Sequence, residues 1–164
     1  MANVKRVKIE GVRELKASLE ALGTAVATKV GEKATRDAAK ELRQLLADTA
    51  PFDPETKIKS WRRKDGTVGR ASYGHLRDNI RVSKARARKE TTVNYRVTTG
   101  KAFWGAFVEF GTVRMPAYPW MRPAFEVSQQ RLLGVVIDGL QVGIEREAKR
   151  AARIKRGMAL LGKA

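Results

Sequence analysis

Residues 103–125, FWGAFVEFGTVRMPAYPWMRPAF, hold four of the five Phe, two of the three Trp and three of the five Pro of this 164-residue chain. The first eight of them mix aromatic and β-branched side chains, which predicts a half-buried strand at 103–110. Faces alternate along a strand, so Phe107 and Phe110 would point to opposite sides. We therefore expect this strand to be covered on both faces or to bend at Gly105.

A rigid turn is predicted to follow this strand. Gly111 and Thr112 form a turn signal that ends it. Pro116 and Pro119 hold the next residues in an extended loop, because the residue before each Pro avoids the helical region. Pro123 fits the first turn of a helix, where its missing N–H costs nothing. We predict that Gly111, Pro116, Pro119 and Pro123 together form a structural turn between a strand and a long helix.

The same stretch resembles a known family. An aromatic run ending in VEFGT, then MPA-aromatic-P, then RPA-aromatic-E is similar to the tail-completion or tail-component proteins of long-tailed bacteriophages, the gene-product-ten family of lambdoid siphophages. The residues that carry the resemblance are Val108, Glu109, Phe110, Gly111, Thr112, Met115, Pro116, Ala117, Pro119, Arg122, Pro123, Ala124 and Glu126.

The resemblance implies a structural virion protein of the head–tail joining region, which completes the tail or neck as part of an axial ring. A six-fold symmetric tail favours a hexamer, with neighbouring neck and tail proteins as further partners. We expect Tyr118, Trp120 and Met121, beside the stiff Pro frame, to form a subunit interface. The alternative is that Trp120 fills the core of its own monomer. Glu109 is expected to face solvent, with a pair to Arg114 or Arg122 as the alternative.

The charge of the chain points to a polyanionic partner. Lys and Arg number 34 against 17 Asp and Glu, which gives a formal net charge of +17. Such a balance favours nucleic acid or an acidic protein surface, although a solvated surface without a partner would also show it. The residues we expect to face genomic DNA, without reading its sequence, are Arg62, Arg63, Lys64, Arg86, Arg88, Lys89, Arg150, Arg153, Lys155 and Arg156.

Catalytic and cofactor chemistry is not indicated. The chain has no Cys and a single His, His75, which excludes thiolate metal sites and His-based triads or metal clusters. Neither GxGxxG nor GxxxxGK[ST] occurs. No segment reaches the length of an apolar membrane span, so we expect synthesis in the host cytoplasm and a final place in the virion. The prediction is no enzyme, no cofactor and no metal.

The first half of the chain predicts a short strand and two helices. Apolar residues alternate at 4–9, where Gly11 closes a strand. Helices are predicted at 12–22, ended by Gly23, and at 24–49. The second helix carries an apolar stripe that fits a core face better than a coiled-coil seam.

Compared with the family that it resembles, the chain carries an insertion, which we expect to be a basic arm at about 52–72. Asp65-Gly66 is a hairpin-turn dipeptide, so the two short runs on either side of it could pair. This arm could reach a neighbouring subunit or DNA, or be a charged surface loop. Residues 76–80 predict a turn or short helix. Strands at 81–85, 91–99 and 103–110 predict an antiparallel meander.

The final helix is predicted at 124–156, with a break near 139–143 because Gly134, Gly139 and Gly143 weaken it. The fold class is therefore α+β, with a small antiparallel sheet packed against a long central helix and a C-terminal helix. We expect one domain at 1–145 and a basic extension at 146–164. The alternative function is a stand-alone, non-specific DNA-binding protein, although no recognition helix is evident.

Overall fold

The computed structural model describes residues 12–52, 54, 58–72, 74–87, 89 and 92–161. Its helices are α1 (Val12–Ala21), α2 (Thr24–Thr49), α3 (Trp104–Phe110) and α4 (Met121–Leu161), with a 3-10 turn at Arg77–Asn79. Its strands are β1 (Ile58–Arg62), β2 (Val68–Ser72), β3 (Arg81–Ala85) and β4 (Asn94–Thr98). The mixed α+β class is confirmed, while the strand expected at 4–9 lies outside the described residues.

The chain divides into two compact units, and both long helices contribute to each. Unit 1 contains the described residues of Met1–Ala38, Lys84–Asn94 and Gln130–Ala164, and unit 2 those of Ala39–Ser83 and Tyr95–Gln129. Strands β1 and β2 pair antiparallel in one two-stranded sheet, and β3 pairs with β4 in another. The hairpin predicted within residues 52–72 is thus confirmed. The predicted domain boundary after residue 145 falls within α4 and stays a prediction.

In unit 1, α2 and α4 pack closely because two glycines of α4, Gly139 and Gly143, face Ala34 and Val30 of α2. A Cβ added at Gly139 would lie 3.0 Å from the Cβ of Ala34, and one at Gly143 would overlap Val30 Cγ1. Both Ala34 and Val30 are buried. The helix break predicted near 139–143 is therefore wrong: the glycines weaken the isolated helix but allow the contact, and α4 runs through them without interruption.

The core of unit 2 is built around Trp120. Its side chain is 2% exposed and belongs to a cluster that α2, the 3-10 turn and the loop before α3 complete with Leu46, Ala50, Leu76, Ile80 and Ala102. Val97 of β4 packs against this cluster. The guanidinium Nε of Arg43 donates to the carbonyl oxygen of Ile80 at 3.0 Å, which joins α2 to the end of the turn.

The strand predicted at 103–110 is wrong, because this segment is helix α3. Trp104 and Val108 pack against the core, and Gly105 and Glu109 are buried beside them, so the inward positions recur with a helical period rather than alternating. A Cβ at Gly105 would lie 2.7 Å from Thr99 Cγ2, which shows how closely the helix approaches its neighbours. The expected three-stranded meander is reduced to the pair β3 and β4.

The carboxylate of Glu109 joins the end of α3 to the start of α4. Its Oε2 accepts hydrogen bonds from the backbone N–H of Trp120 at 2.7 Å and Met121 at 2.8 Å, and its Oε1 accepts one from Arg122 at 3.2 Å. Glu109 is 5% exposed, so the expectation that it faces solvent is wrong. Of the two alternative partners, Arg122 interacts with it, through its backbone N–H and its positive charge. It satisfies N–H groups that a helix start leaves unpaired, at the positive end of the helix dipole.

The environment of Glu109 favours its charged form. Burial alone would raise its pKa, but the N–H groups of Met121, Trp120 and Arg122, together with the positive charge of Arg122, more than offset that effect. The pKa of Glu109 therefore lies below its ordinary value.

The loop between α3 and α4 turns sharply at Gly111. Gly111 has φ of +75°, and a Cβ there would lie 2.8 Å from the backbone nitrogen of Ala117. The N–H of Thr112 donates to Met115 O at 2.8 Å, and that of Tyr118 donates to Val108 O at the same distance. The backbone thus folds back onto α3 before α4 begins, and Pro123 lies in the first turn of α4 as expected.

Two glycine substitutions in α4 test the close packing of α2 and α4. Gly134→Ala should raise the free energy of unfolding by about 1 kcal/mol, because Ala favours helix and a Cβ at Gly134 meets nothing within 4 Å. Gly143→Ala should lower it, because the new methyl group overlaps Val30. Urea denaturation of the two variants gives the comparison. Equal gains at both positions would contradict the packing.

The bonds of Glu109 predict a pH-dependent contribution to stability. Glu109→Gln removes the charge and one acceptor oxygen, so we expect the free energy of unfolding at pH 7 to fall by about 2 kcal/mol. A lowered folded-state pKa contributes stability that is full above the unfolded-state pKa and is lost as pH falls through the folded-state value.

The difference between wild type and Glu109→Gln should therefore shrink as pH falls below the ordinary Glu value of 4.5. Urea denaturation at a series of pH values measures it. The control is Glu126→Gln, which changes an exposed carboxylate on α4. A difference that stays constant down to strongly acidic pH, or an equal loss in the control, would sink the assignment.

Candidate functional site

Helix α3 presents an aromatic face to solvent. Phe103 at its N-cap, Phe107 and Phe110 are 52%, 47% and 69% exposed. The rings of Phe103 and Phe107 contact each other edge-on, with centroids 5.9 Å apart. Side chains at spacings of four and three residues share one side of a helix. We call Phe103, Phe107 and Phe110 the α3 face; together they form an exposed apolar cluster.

The three residues expected at a subunit interface differ in their positions. Tyr118 is 68% exposed, in the loop that follows the α3 face. Trp120 is buried in the core of unit 2, which agrees with the alternative that it fills its own monomer. Met121 is partly buried against the same core.

The α3 face was not predicted, because the composition of residues 103–110 favours a strand. The available signal was the spacing Phe103, Phe107, Phe110, which is helical.

The residues predicted to face DNA fall into three groups along the chain. The hairpin of unit 2 exposes the first of them. Arg62, Arg63 and Lys64 are exposed where β1 leads into the turn. The turn is well formed: the N–H of Arg63 donates to Thr67 O at 2.8 Å, and Gly66 has φ of +81°. The hydroxyl of Thr67, followed by its N–H, lowers the pKa of the Asp65 carboxyl. This turn therefore holds three cations at the exposed end of a hairpin.

Unit 1 exposes the second and third basic groups. Arg86 and Lys89 are exposed after β3, while Arg88 lies outside the described residues. Arg150, Arg153, Lys155 and Arg156 are exposed on α4. At about 100° per residue, Arg150, Arg153 and Arg156 fall on one stripe of the helix with Arg146 and Lys149, and Lys155 falls on the opposite side. The structure thus gathers one continuous basic stripe on the end of α4.

Among the residues that the structure describes, no catalytic arrangement surrounds the single histidine, His75. The ring of His75 contacts the ring of Phe52, with centroids 4.7 Å apart. The backbone carbonyl oxygen of His75 accepts a hydrogen bond from Asn79 Nδ2 at 2.9 Å. Across the described ranges, no group of three or more His, Cys, Asp or Glu side chains could hold a metal ion. None of the helices in these ranges combines the length and the apolar composition that a membrane span requires.

Comparison with protein families gives a match over residues 13–111, from α1 to the glycine that ends α3. The family is described as "Bacteriophage HK97-gp10, putative tail-component". Residues 1–12 lie outside the matched range, and so does most of the Pro-rich motif, which runs from Val108 to Glu126. Comparison with curated proteins and with solved structures found no match. Because the family match spans more than half of the 164 residues, this chain belongs to the HK97-gp10-like family of phage tail-component proteins.

Proposed function

We propose that this tail-component protein is a structural virion protein of the head–tail joining region, where it completes the tail or neck as part of an axial ring. The observation that carries the proposal is the family match over residues 13–111. A protein of this kind works by binding its neighbours rather than by catalysis. The resemblance to tail-completion proteins, read from the Pro-rich motif, favours a hexamer on a tail of six-fold symmetry.

The α3 face supports an assembly role. Its three Phe side chains stand on a helix that Gly105 and Glu109 hold against the core of unit 2, so the surface is pre-organised. Rigid aromatic groups lose little conformational entropy on binding and are typical anchors of protein interfaces. Tyr118, exposed on the adjoining loop, is the residue of the original interface set that remains available to extend this surface.

The basic residues support contact with the genome in the channel of such a ring. The stripe at the end of α4 and the cations of the hairpin turn present charges suited to phosphate groups, which bind DNA without reading its sequence. Each contact is weak, but a ring repeats it once per subunit. The competing role for these charges is binding to acidic surfaces of neighbouring neck and tail proteins.

The second candidate function, a stand-alone, non-specific DNA-binding protein, rests on the same exposed cations. The two functions differ in what happens to phage particles. A ring component is built into the virion and is required for the particle to be completed, whereas a free DNA-binding protein is absent from purified virions.

Deleting the gene from its phage tests the structural function. We expect heads and tails that do not form infectious joined particles, because an axial ring is missing, and rescue when the wild-type protein is supplied in trans. Electron microscopy and infectious titre give the readouts, and mass spectrometry of purified virions shows whether the protein is present. Normal, infectious particles without the protein would refute the proposal.

Reversing the charge at the end of α4 tests the contact with DNA. The variant changes Arg150, Arg153, Lys155 and Arg156 to Glu. We expect its affinity for a duplex of arbitrary sequence, and the salt dependence of that affinity, to fall, because fewer phosphates are neutralised and fewer counterions are released. Fluorescence anisotropy at several salt concentrations measures both.

The matched control makes the same charge change at four exposed cations outside the candidate set, Arg13, Lys29, Lys33 and Lys101. It should bind DNA more tightly than the α4 variant does. If the wild-type protein shows no salt-sensitive affinity for DNA and the α4 variant stops particle assembly, these charges serve protein partners instead.

A further inference from the structure

The last turns of α4 extend past the start of α2. Gly139 of α4 faces Ala34 of α2, and Gly143 of α4 faces Val30 of α2. The contact advances four residues along α4 while it goes back four along α2, so the two helices run antiparallel. The same register brings α4 level with Thr24, the first residue of α2, at about residue 149. Helix α4 continues to Leu161. We call residues 150–161 the α4 arm. It extends beyond the first residue of α2, so α2 cannot cover it.

The α4 arm carries an apolar row that nothing in the described chain covers. Ala151 is exposed, and Ile154 and Met158 are 55% and 69% exposed. Spacings of three and four residues place these three side chains on one side of the helix. Arg150 flanks the row on one side and Lys155 on the other, at about 70° around the helix axis. The row is therefore an apolar strip between two cations.

The α3 face and the apolar row match in length and differ in shape. Phe103 to Phe110 covers seven helical steps, and so does Ala151 to Met158. The first surface consists of three large rings, whereas the second has a small residue at one end that leaves room for a ring. Met sulfur and the cationic groups of Arg and Lys both interact favourably with aromatic rings. The α3 face thus supplies aromatic rings, and the apolar row supplies the Met sulfur, two flanking cations and space for a ring beside Ala151.

We propose that the α4 arm of one copy of this protein packs against the α3 face of the next copy. This inference rests on the proposed ring and names the contact that would build it. A ring of identical subunits needs two different complementary surfaces on each subunit, because a surface that pairs with itself stops at a dimer. The α3 face lies in unit 2 and the apolar row in unit 1, so one copy carries both halves of the contact.

Two double variants test the two surfaces of the proposed contact separately. The face variant changes Phe107 and Phe110 to Gln, and the arm variant changes Ile154 and Met158 to Gln, with no change of charge. The control changes Val127 and Val142 to Gln, two exposed apolar residues of α4 outside both surfaces. Circular dichroism verifies that each variant is folded. Because the arm variant keeps every cation, its affinity for DNA should equal that of wild type at protein concentrations below those at which wild type self-associates.

Sedimentation equilibrium gives the first test, from micromolar concentrations to the solubility limit. We expect the wild type and the control to self-associate, and each double variant alone to do so about 30-fold or more weakly. A mixture of face and arm variants should form dimers that grow no further, because one intact contact remains per pair. Variants that associate like wild type, a mixture that stays monomeric, or a wild type that never associates would each overturn the proposed contact.

Cross-linking in assembled particles gives the second test. The chain has no Cys, so a protein with Ala106→Cys on exposed α3 and Ala151→Cys on the arm carries only those two thiols. A short bis-maleimide should then produce a ladder of covalent oligomers, whereas either single Cys variant should give none. Particles that contain the protein but give no ladder would overturn the contact and leave the proposed function standing. Particles that lack the protein would overturn the proposed function itself.

Discussion

The bonds from the Glu109 carboxylate to three backbone N–H groups are the constraint on which unit 2 depends. They fix the end of α3 against the first residues of α4. Because the backbone N–H of Trp120 is one of the three donors, they also place its side chain in the core. Because Glu109 points inward from α3, Phe103, Phe107 and Phe110 must point outward. One buried charge thereby sets both the path into the longest helix and the exposure of the aromatic face.

The sequence predicted the elements whose signals are local. Helices α1 and α2 followed from apolar spacing and from Gly23, and the hairpin followed from Asp65-Gly66 between two short runs. The Pro-rich turn was also predictable, since proline restricts the backbone without help from the rest of the fold. Recognition of the family came from a long motif, most of which lies after the matched residues.

What the sequence did not predict depends on contacts between distant residues. The composition of residues 103–110 favoured a strand, but the core formed by α2 and the 3-10 turn selects the helical period instead. The donors to Glu109 lie 11 to 13 residues ahead in the chain, so nothing beside it indicated that it would be buried. Likewise, Gly139 and Gly143 weaken a helix when read alone, and only Ala34 and Val30 explain why they occur within one.

The turn of the basic hairpin has a practical consequence for locating the protein in a particle. Its last strand pair is Arg62 with Val68, and the residues between them are exposed, with Gly66 already in the left-handed region. Extra residues at such a turn add only a slowly growing closure entropy and displace no packed side chain. A peptide epitope inserted between Asp65 and Gly66 would therefore leave both units folded and give antibody labels a fixed point of attachment.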